Sequence, residues 1–314
     1  MNPLISVIMS TLNTQKEYLE EAINSVLNQT YKNFEFIIIV DGGNDDKIIE
    51  KINDERIKII KHEKSMGLTK SLNEAIKISN GKYIARMDSD DISLENRFEY
   101  QVKYMEENID IDILSMFYEE FGKNRKEVRE VFFKPDEIKC KLFFTNLIAH
   151  PCVMIRKDFL DKNDILYNEE FIYSQDFELW TRCVNVGKIA IIPKMGLYYR
   201  IHDKQISTEK SNKQLELYYK VLARNLKELD IKEENLKYLL MLNGKEKVKS
   251  KRDLKSFITI AINMNKKIKK YDDKKFKELL KVYYNIACIK THKLFLPNFS
   301  FSKYVVRKVL MRGV

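Results

Sequence analysis

Three carboxylates, Asp88, Asp90 and Asp91, stand within four positions directly after an apolar run at residues 83–87. That run has the composition of a buried strand, and ligands of open α/β sheets bind at the carboxyl ends of strands. Carboxylate oxygens there suit a hard divalent cation, Mg²⁺ or Mn²⁺, which can bridge the phosphates of a nucleotide diphosphate. The alternative is a solvated loop in which Asp91 or Ser93 caps the next helix, because isolated Asp-X-Asp triplets often arise by chance.

The elements that must position these acids follow from the hydrophobic periodicity of the first hundred residues. Short apolar runs alternate with helix-period segments, a pattern typical of β-α-β units. The predicted elements are a strand at 4–9, a helix at 17–27, strands at 34–40 and 57–60, a helix at 68–78 and a strand at 83–87. The pattern predicts an α/β fold, Rossmann-like, with a mostly parallel sheet and helices on both faces.

The pattern is weaker between residues 111 and 149, where we expect a strand at 111–117 and a polar loop at 122–129. A helix at 175–186 and a strand at 189–192 restore the α/β rhythm. After residue 207 the sequence is almost entirely helical in pattern and rich in Lys. We therefore predict a domain boundary near 210, with a site-bearing domain at 1–210 and a basic helical region at 211–314.

Charge is divided unevenly along the chain. Residues 211–314 contain 26 Lys/Arg and 10 Asp/Glu, a balance of +16, so the first 210 residues carry −6 of the total of +10. The basic part contains no recognisable nucleic-acid-binding module, and the other part is acidic, so we expect no nucleic-acid partner. The motifs G-x-G-x-x-G and G-x-x-x-x-G-K-[ST] are absent from the sequence, which argues against dehydrogenases and P-loop enzymes.

The four cysteines lie far apart without paired spacing, which predicts neither a zinc site nor a disulfide framework and fits a reducing cytosol. The first residues lack the basic and apolar regions of a signal peptide. No apolar stretch reaches the roughly 18 residues that span a bilayer. We expect a cytoplasmic protein.

Seven segments in a fixed order carry a family resemblance over about residues 4–208. They are ISVIMSTLN, NQTYKNFEFIIIVDGGNDD, GLTKSLNEAI, GKYIARMDSDD, HPCVMIRK, QDFELW and YRIHDKQIS. With them the chain resembles the family 2 glycosyltransferases of the GT-A fold, the type that adds sugars to bacterial surface polysaccharides. One such segment is a weak signal, whereas seven in order are specific.

The resemblance implies a donor site for a nucleotide sugar. Thr11 and Asn13 would line the nucleotide pocket, and Asp41 would hold the base. A carboxylate can accept the imide N–H of uracil, which favours a UDP-sugar as donor substrate. Ser89 would also bind the donor. The alternative for Asp41 is a Gly-rich turn without a binding role.

Two basic side chains and three metal ligands complete the implied site. Lys70 and Arg86 would stabilise phosphate, with a plain surface charge as the alternative for Lys70. The metal ligands would be Asp88, Asp90 and His202, and a loop histidine that only forms hydrogen bonds is the alternative for the last of these.

Asp176 aligns with the family's general base. Its alternative is a charge favoured by the dipole at a helix N-terminus. His150 would lie near the acceptor or order a turn, and Trp180 would pack in the core.

The implied activity is a metal-dependent, inverting transfer of a hexose from a UDP-sugar to a hydroxyl group. The acceptor would be a glycan of the capsule, exopolysaccharide or lipopolysaccharide type, or a lipid-linked saccharide. Two rival functions stay open: a nucleotidyltransferase, and a non-enzymatic protein that keeps the fold and binds a partner.

Residues 295–314 mix aromatic and aliphatic side chains with Lys and Arg. This composition suits a membrane surface, because basic amphipathic segments dock onto anionic lipid. The alternative is a Lys-rich solvated helical face. We therefore predict a cytoplasmic location, peripheral at the inner face of the cell membrane, while the oligomeric state is not indicated.

Overall fold

The computed structural model describes residues 2–122, 125–130, 133–203, 205 and 211–291. The chain divides into two compact units. The first comprises Met1–Val131 and Ile148–Gln214, and the second comprises Phe132–Leu147 and Leu215–Val314. The sequence-based boundary at residue 210 stays a prediction, and the short segment at 132–147 groups with the helical unit.

The first unit opens with β-α-β units, as the periodicity predicts. Its elements are β1 (Ile5–Thr11), α1 (Lys16–Leu27), β2 (Phe34–Val40), α2 (Asp46–Ile49), β3 (Ile57–Lys61), α3 (Leu68–Ile78) and β4 (Tyr83–Arg86). The chain continues with β5 (Ile92–Ser93), α4 (Arg97–Glu107), β6 (Ile113–Gly122), β7 (Arg125–Arg129), α5 (Pro135–Leu142), β8 (Met154–Arg156), α6 (Lys157–Lys162), α7 (Gln175–Val186) and β9 (Ile189–Arg200).

One mixed sheet joins the strands of the first unit. The order is β3-β2-β1-β4-β8-β6-β9-β5, with β7 paired to β6. Strands β1 to β4 are parallel, β8 is antiparallel to both β4 and β6, and β6 runs parallel to β9. The carboxyl ends of β1, β2, β4, β6 and β9 therefore meet at one edge of the sheet, where ligands of such sheets bind.

Strand β2 is buried along its whole length because helices cover both faces of the sheet. Phe36 and Ile38 face the cluster that includes Leu19 and Ile23 of α1. Helix α3 buries its own apolar face, which includes Leu72. This packing fixes the loops that follow β1 and β2.

Three expectations for residues 111–200 are corrected. Strand β6 starts two residues later than predicted and extends to Gly122, while β9 continues from the predicted segment to Arg200. The two strands pair through Phe121 and Arg200 with register shifts near Phe117, which obscure the period-two pattern. The predicted polar loop at 122–129 contains β7, a charged edge strand paired only with β6 among the described strands.

The second unit is helical, as the sequence predicts. Beside α5 it contains α8 (Ser211–Lys227), α9 (Leu236–Leu242), α10 (Lys251–Ile268) and α11 (Asp273–Thr291). Its core includes an aromatic cluster in which Phe143, Phe144 and Phe276 pack edge to face or tilted. Across the described part of the chain, none of the helices combines the length and the apolar character needed to cross a membrane.

Candidate active site

A cavity of about 510 Å³ lies at the carboxyl ends of β1 and β2. Its walls come from the loop after β1, the turn after β2, the loop before α3 and the acidic loop after β4. Its lining includes Thr11, Asn13, Asp41, Ser65, Gly67, Asp88, Ser89, Asp90, Tyr173 and His202. We call this space the donor cavity.

Asp41 lies at the base of the donor cavity and is buried. Its carboxylate accepts hydrogen bonds from His62 Nδ1 and Ser65 Oγ, both at 2.8 Å, and from the backbone N–H groups of Met66 at 2.7 Å and Gly67 at 2.8 Å. Burial alone would raise the pKa of Asp41, but these hydrogen bonds outweigh it and lower the pKa below its ordinary value. Asp41 thus fixes the loop at residues 65–67 as one wall of the cavity.

A chain of hydroxyl groups joins the loop after β1 to the acidic loop. Thr11 Oγ1 donates to Asp45 Oδ2 at 2.5 Å, and the backbone N–H of Thr14 donates to the same oxygen at 3.1 Å. Thr14 Oγ1 lies 2.8 Å from Ser89 Oγ. Neither Asp45 nor Thr14 was found from the sequence, although both lie beside predicted residues. This chain of hydroxyl groups links Ser89 to the loop after β1.

The acidic loop brings together ligand atoms of Asp88, Asp90 and Asp91 within 4.8 Å of one another. Asp91 is fully buried, and burial, with Asp90 and Asp88 as negative neighbours, raises the pKa of Asp91 well above its ordinary value. Its Oδ1 accepts the backbone N–H of Arg200 at 2.8 Å. Arg86 forms an ion pair with Asp88. The loop is thus a concentrated negative site with one buried cation beside it.

The end of β9 completes the acidic loop. His202 Nε2 lies 2.8 Å from Asp90 Oδ2, and its buried Nδ1 has no hydrogen-bond partner among the described residues. Arg200 donates from Nε to the backbone carbonyl of Asp90 at 2.7 Å and stacks its guanidinium 4.2 Å from the ring centre of Tyr18. Arg200 was missed by the sequence interpretation. It positions the loop that carries Asp90.

A second cavity of about 340 Å³ adjoins the first and shares Asp88, Asp90 and Tyr173 with it. Its other walls come from β6, β9, the turn at 148–151 and the first turn of α7. Its lining includes Arg86, Tyr118, Glu120, His150, Gln175, Asp176 and Tyr199. We call this space the distal cavity.

Asp176 is the second residue of α7 and lies half-buried in the wall of the distal cavity. Besides Glu120 of β6, the cavity therefore contains one carboxylate on a helix N-terminus and two from the acidic loop. A carboxylate in that position can accept a proton from a hydroxyl group bound in the cavity.

The floor of the distal cavity contains a buried cation and a neutral imidazole. Nε and Nη1 of Arg86 have no hydrogen-bond partner within the described part of the chain. His150 Nε2 lies 2.7 Å from Tyr167 Oη. Burial, and then the positive charge of Arg86, lowers the pKa of His150 well below its ordinary value. Arg86 thus places a buried positive charge beside this cavity.

The profile of the family described as glycosyl transferase family 2 matches residues 6–163. An uncharacterized glycosyltransferase from Methanocaldococcus jannaschii is 43% identical over 228 residues, which cover 69% of this chain and 78% of the relative. The chain belongs to glycosyl transferase family 2. The O-antigen biosynthesis glycosyltransferase WbnJ of Escherichia coli is 36% identical to this glycosyltransferase over 235 residues, 72% of this chain and 88% of WbnJ.

A solved structure of S. aureus TarS 1–349 in complex with UDP-GlcNAc superposes with a TM-score of 0.62 at 18% identity. The match covers 90% of this glycosyltransferase and 91% of that chain. The fold class expected from the sequence, a GT-A α/β fold followed by a helical C-terminal region, is confirmed.

The fold brings most of the sequence-predicted site residues of the glycosyltransferase into the two cavities. Lys70 is the exception: its half-exposed ammonium lies 3.7 Å from Glu169 on the surface, and it lines neither cavity. Arg86 lines the distal cavity rather than the donor cavity. Trp180 is fully buried, as expected for core packing.

The residues present fit a divalent cation. The carboxylates of Asp88 and Asp90 supply hard oxygen ligands, and the buried Oδ2 of Asp91 has no hydrogen-bond partner among the described residues. His202 adds an imidazole beside Asp90. A cluster of acids this close is electrostatically unfavourable without a compensating cation, and Arg86 compensates only part of it.

Proposed function

We propose that this glycosyltransferase transfers a hexose from a UDP-sugar to a hydroxyl group of a surface-glycan acceptor, with inversion at the anomeric carbon. The observation that carries the proposal is the pair of adjoining cavities. They share Asp88 and Asp90, and only the distal cavity contains Asp176. A donor in one cavity and an acceptor in the other would meet at the acidic loop.

The donor cavity suits a nucleoside diphosphate sugar. Backbone and side-chain groups of Thr11, Asn13 and Asp41 line its inner end, and the acidic loop lies at its outer end. Supporting this choice, the relative WfaP of Escherichia coli is named a UDP-Glc-dependent glucosyltransferase and is 32% identical over 66% of this chain. We propose that Asp41 either accepts the uracil imide N–H or orders the loop at 65–67 that does so.

Asp88, Asp90 and His202 would hold Mn²⁺ or Mg²⁺. The ion would neutralise the charge that develops on the diphosphate leaving group. Ser89 would be held against the phosphates by Thr14, and Arg200 would keep the backbone at Asp90 in place. Thr14 and Arg200 would thus hold the acidic loop in its binding geometry before the donor binds.

Asp176 would act as the general base. It would accept the proton of the acceptor hydroxyl while that oxygen attacks the anomeric carbon from the face opposite the diphosphate, which breaks the bond to the leaving oxygen. This is a direct displacement without a covalent enzyme intermediate, and a β linkage follows from an α-linked donor. Arg86, through its ion pair with Asp88, would hold that carboxylate in position in the distal cavity.

The acceptor is proposed to be a growing surface glycan, including one carried on a lipid. WbnJ is named for O-antigen biosynthesis, and the name of WfaP specifies a GlcNAc-diphosphoundecaprenol acceptor. A lipid-linked acceptor implies work at the inner face of the cell membrane. The amphipathic segment predicted at residues 295–314 lies outside the described residues.

Titration calorimetry of the purified protein with UDP, GDP and their common sugars, with and without Mn²⁺, tests the donor site. Metal-dependent binding of UDP or a UDP-sugar is expected, and Asp90→Ala should weaken it by about 10- to 100-fold because a charged ligand to the ion is lost. Asp161→Asn, on exposed α6, is the matched control and should bind as wild type.

Each rival function gives a different result when nucleoside triphosphates are added to the same series of titrations. A non-enzymatic partner-binding protein predicts no nucleotide binding under any condition. A nucleotidyltransferase predicts binding of nucleoside triphosphates in preference to UDP-sugars. Three observations favour glycosyl transfer: the acidic loop, the position of Asp176 in the wall of the distal cavity, and the family membership.

A further inference from the structure

Helices α10 and α11 form a groove of about 490 Å³ on the second unit, at the start of α10. Lys255 Nζ lies 5.8 Å from the ring centre of Tyr284 on α11, so the first turns of α10 lie beside the later turns of α11. The groove is lined by Lys251, Arg252, Lys255, Ser256, Thr259 and Tyr284. It contains three cations, three hydroxyl groups and no acid.

The spacing along α10 explains why these residues share one face. Positions 252, 255, 256 and 259 recur every three or four residues and therefore lie on one side of the helix. Leu254, Phe257 and Ala261 point the other way and are buried. Ser250 caps the helix by accepting the backbone N–H of Asp253 at 3.2 Å, which fixes the first turn in helical geometry.

Ion pairs with acids neutralise some lysines of the same unit. Lys220 pairs with Glu216, and Lys275 pairs with Asp136. Arg252 and Lys255 are exposed, and neither forms an ion pair with a residue that the structure describes. Their charges are therefore available to an external anion.

We propose that this groove docks the enzyme onto a bilayer that contains anionic phospholipid. The inference rests on the proposed function in one respect, that a lipid-linked acceptor is reached at a membrane. Lipid phosphates match the cations and hydroxyl groups of the groove, and Tyr284 supplies the amphipathic ring that favours the interface.

The course of the chain supports a bilayer as the occupant. The described part of helix α11 extends to Thr291, about 10 Å along the helix axis beyond Tyr284, and therefore reaches the groove end of the helix pair. The sequence that follows contains Phe299, Phe301 and Tyr304 among basic residues. A sequence that combines apolar and basic side chains in this way suits binding to an anionic membrane.

The experiment is co-sedimentation of the full chain with phosphatidylcholine vesicles and with the same vesicles containing phosphatidylglycerol. Wild type should sediment with the anionic vesicles only. Arg252→Ala with Lys255→Ala should weaken this binding by about 30-fold, which corresponds to about 1 kcal/mol for each basic residue. Lys51→Ala with Lys103→Ala removes the same charge from exposed positions of the first unit and should change binding less than two-fold.

Three results would overturn the proposal. They are equal binding to neutral and anionic vesicles, an equal loss in the control variant, and stronger binding of an anionic polymer such as a nucleic acid than of the vesicles. Calorimetry of UDP with the Arg252→Ala/Lys255→Ala variant separates this proposal from the proposed function. Unchanged UDP affinity with lost vesicle binding supports docking, whereas absent UDP binding in wild type would count against the donor site alone.

Discussion

The donor cavity and the distal cavity share the acidic loop but are built in different ways. The donor cavity is lined mostly by the loops that follow β1, β2, β3 and β4, and Tyr173 and His202 join it from later in the chain. The distal cavity combines β6, β9, the turn at 148–151 and the start of α7, which are far apart in the chain. The consecutive β-α-β units therefore supply most of the donor cavity, whereas pairing between distant strands assembles the distal cavity.

The difference in construction suggests a division of labour. A cavity built from a few neighbouring loops keeps its shape, and therefore its ligand, when other parts of the sequence change. A cavity built from several distant segments changes shape when the sequence of any one of them changes. We expect substitutions in the donor cavity to alter binding of the UDP-sugar and substitutions in the distal cavity to alter the acceptor or the chemical step. The predictions below test that separation.

The largest effect is expected for Asp176→Asn in the distal cavity. Loss of the proposed general base should lower kcat by about 10²- to 10⁴-fold and leave UDP affinity unchanged, because the amide keeps the shape but accepts no proton. Steady-state kinetics and calorimetry measure the two quantities. Asp158→Asn on α6 is the control, since that carboxylate pairs with Lys162 on the surface. An unchanged kcat in Asp176→Asn would refute the assignment.

Gly42→Ala tests how the donor cavity is held. Gly42 has φ of +82°, and an added Cβ would lie 2.8 Å from the backbone nitrogen of Ser65. The contact would push the loop at 65–67 away from Asp41, so UDP affinity should fall by about 10-fold, and the free energy of unfolding by about 2–4 kcal/mol. Calorimetry and urea denaturation measure these changes.

Gly67→Ala is the matched control for that substitution. Gly67 has φ of +93°, but an added Cβ would meet no heavy atom within 4 Å. Only the left-handed backbone penalty of about 1 kcal/mol is then expected. Equal losses in the two variants would show that backbone conformation, rather than the close approach to Ser65, decides the shape of the donor cavity.

Glu120→Gln tests the distal cavity without touching the acidic loop. Glu120 lies on β6 and accepts hydrogen bonds from Arg129 of β7 at 2.8 and 3.1 Å. Loss of the carboxylate charge weakens this pair, which should raise KM for the acceptor by about 10-fold and leave KM for the donor unchanged. A change in donor KM of the same size would contradict the separation of the two cavities.

The same contrast explains what the sequence could predict. Thr11, Asn13, Asp41 and Ser89 follow strands with clear apolar patterns, and the structure brings all four to the donor cavity. The signal for Asp45 is its place two residues after the Gly-Gly turn. The structure shows that it is buried there and accepts a hydrogen bond from Thr11, as a buried carboxylate requires. The family resemblance assigned Thr11, Asn13 and Asp41 to the nucleotide pocket, and the apolar strand pattern predicted where they lie along the sheet.

The distal cavity was less accessible to sequence reasoning. Tyr118 and Tyr199 pack edge to face at 5.9 Å across β6 and β9, a contact that depends on a parallel pairing with register shifts. No local pattern contains that register. Strand β7 was missed because its residues are charged at four of five positions, as suits a sheet edge but not a predicted strand. Asp176 was found only through the family resemblance.

The smallest expected effect is a pH dependence of the donor cavity through His62. Its ring lies between Asp41 Oδ1 and Glu74 Oε2, each at 2.8 Å. Burial would lower the pKa of His62, but the hydrogen bonds and charges of both carboxylates raise it above its ordinary value of 6.5. The protonated ring therefore ties the turn after β2 to α3.

The sign of the effect follows from the raised pKa. The stabilisation is fully present below about pH 6.5 and is lost as the pH rises through the higher pKa of the folded state. Thermal unfolding from about pH 6 to about pH 9 should show a loss of roughly 1 kcal/mol in wild type and none in His62→Gln. His150→Gln is the control, because the lowered pKa of His150 keeps its ring neutral throughout. If the stability of His62→Gln fell with pH as much as that of wild type, the pH dependence would belong to another group. The loop at 65–67 would then be held by Asp41 without a contribution from the protonated His62 ring.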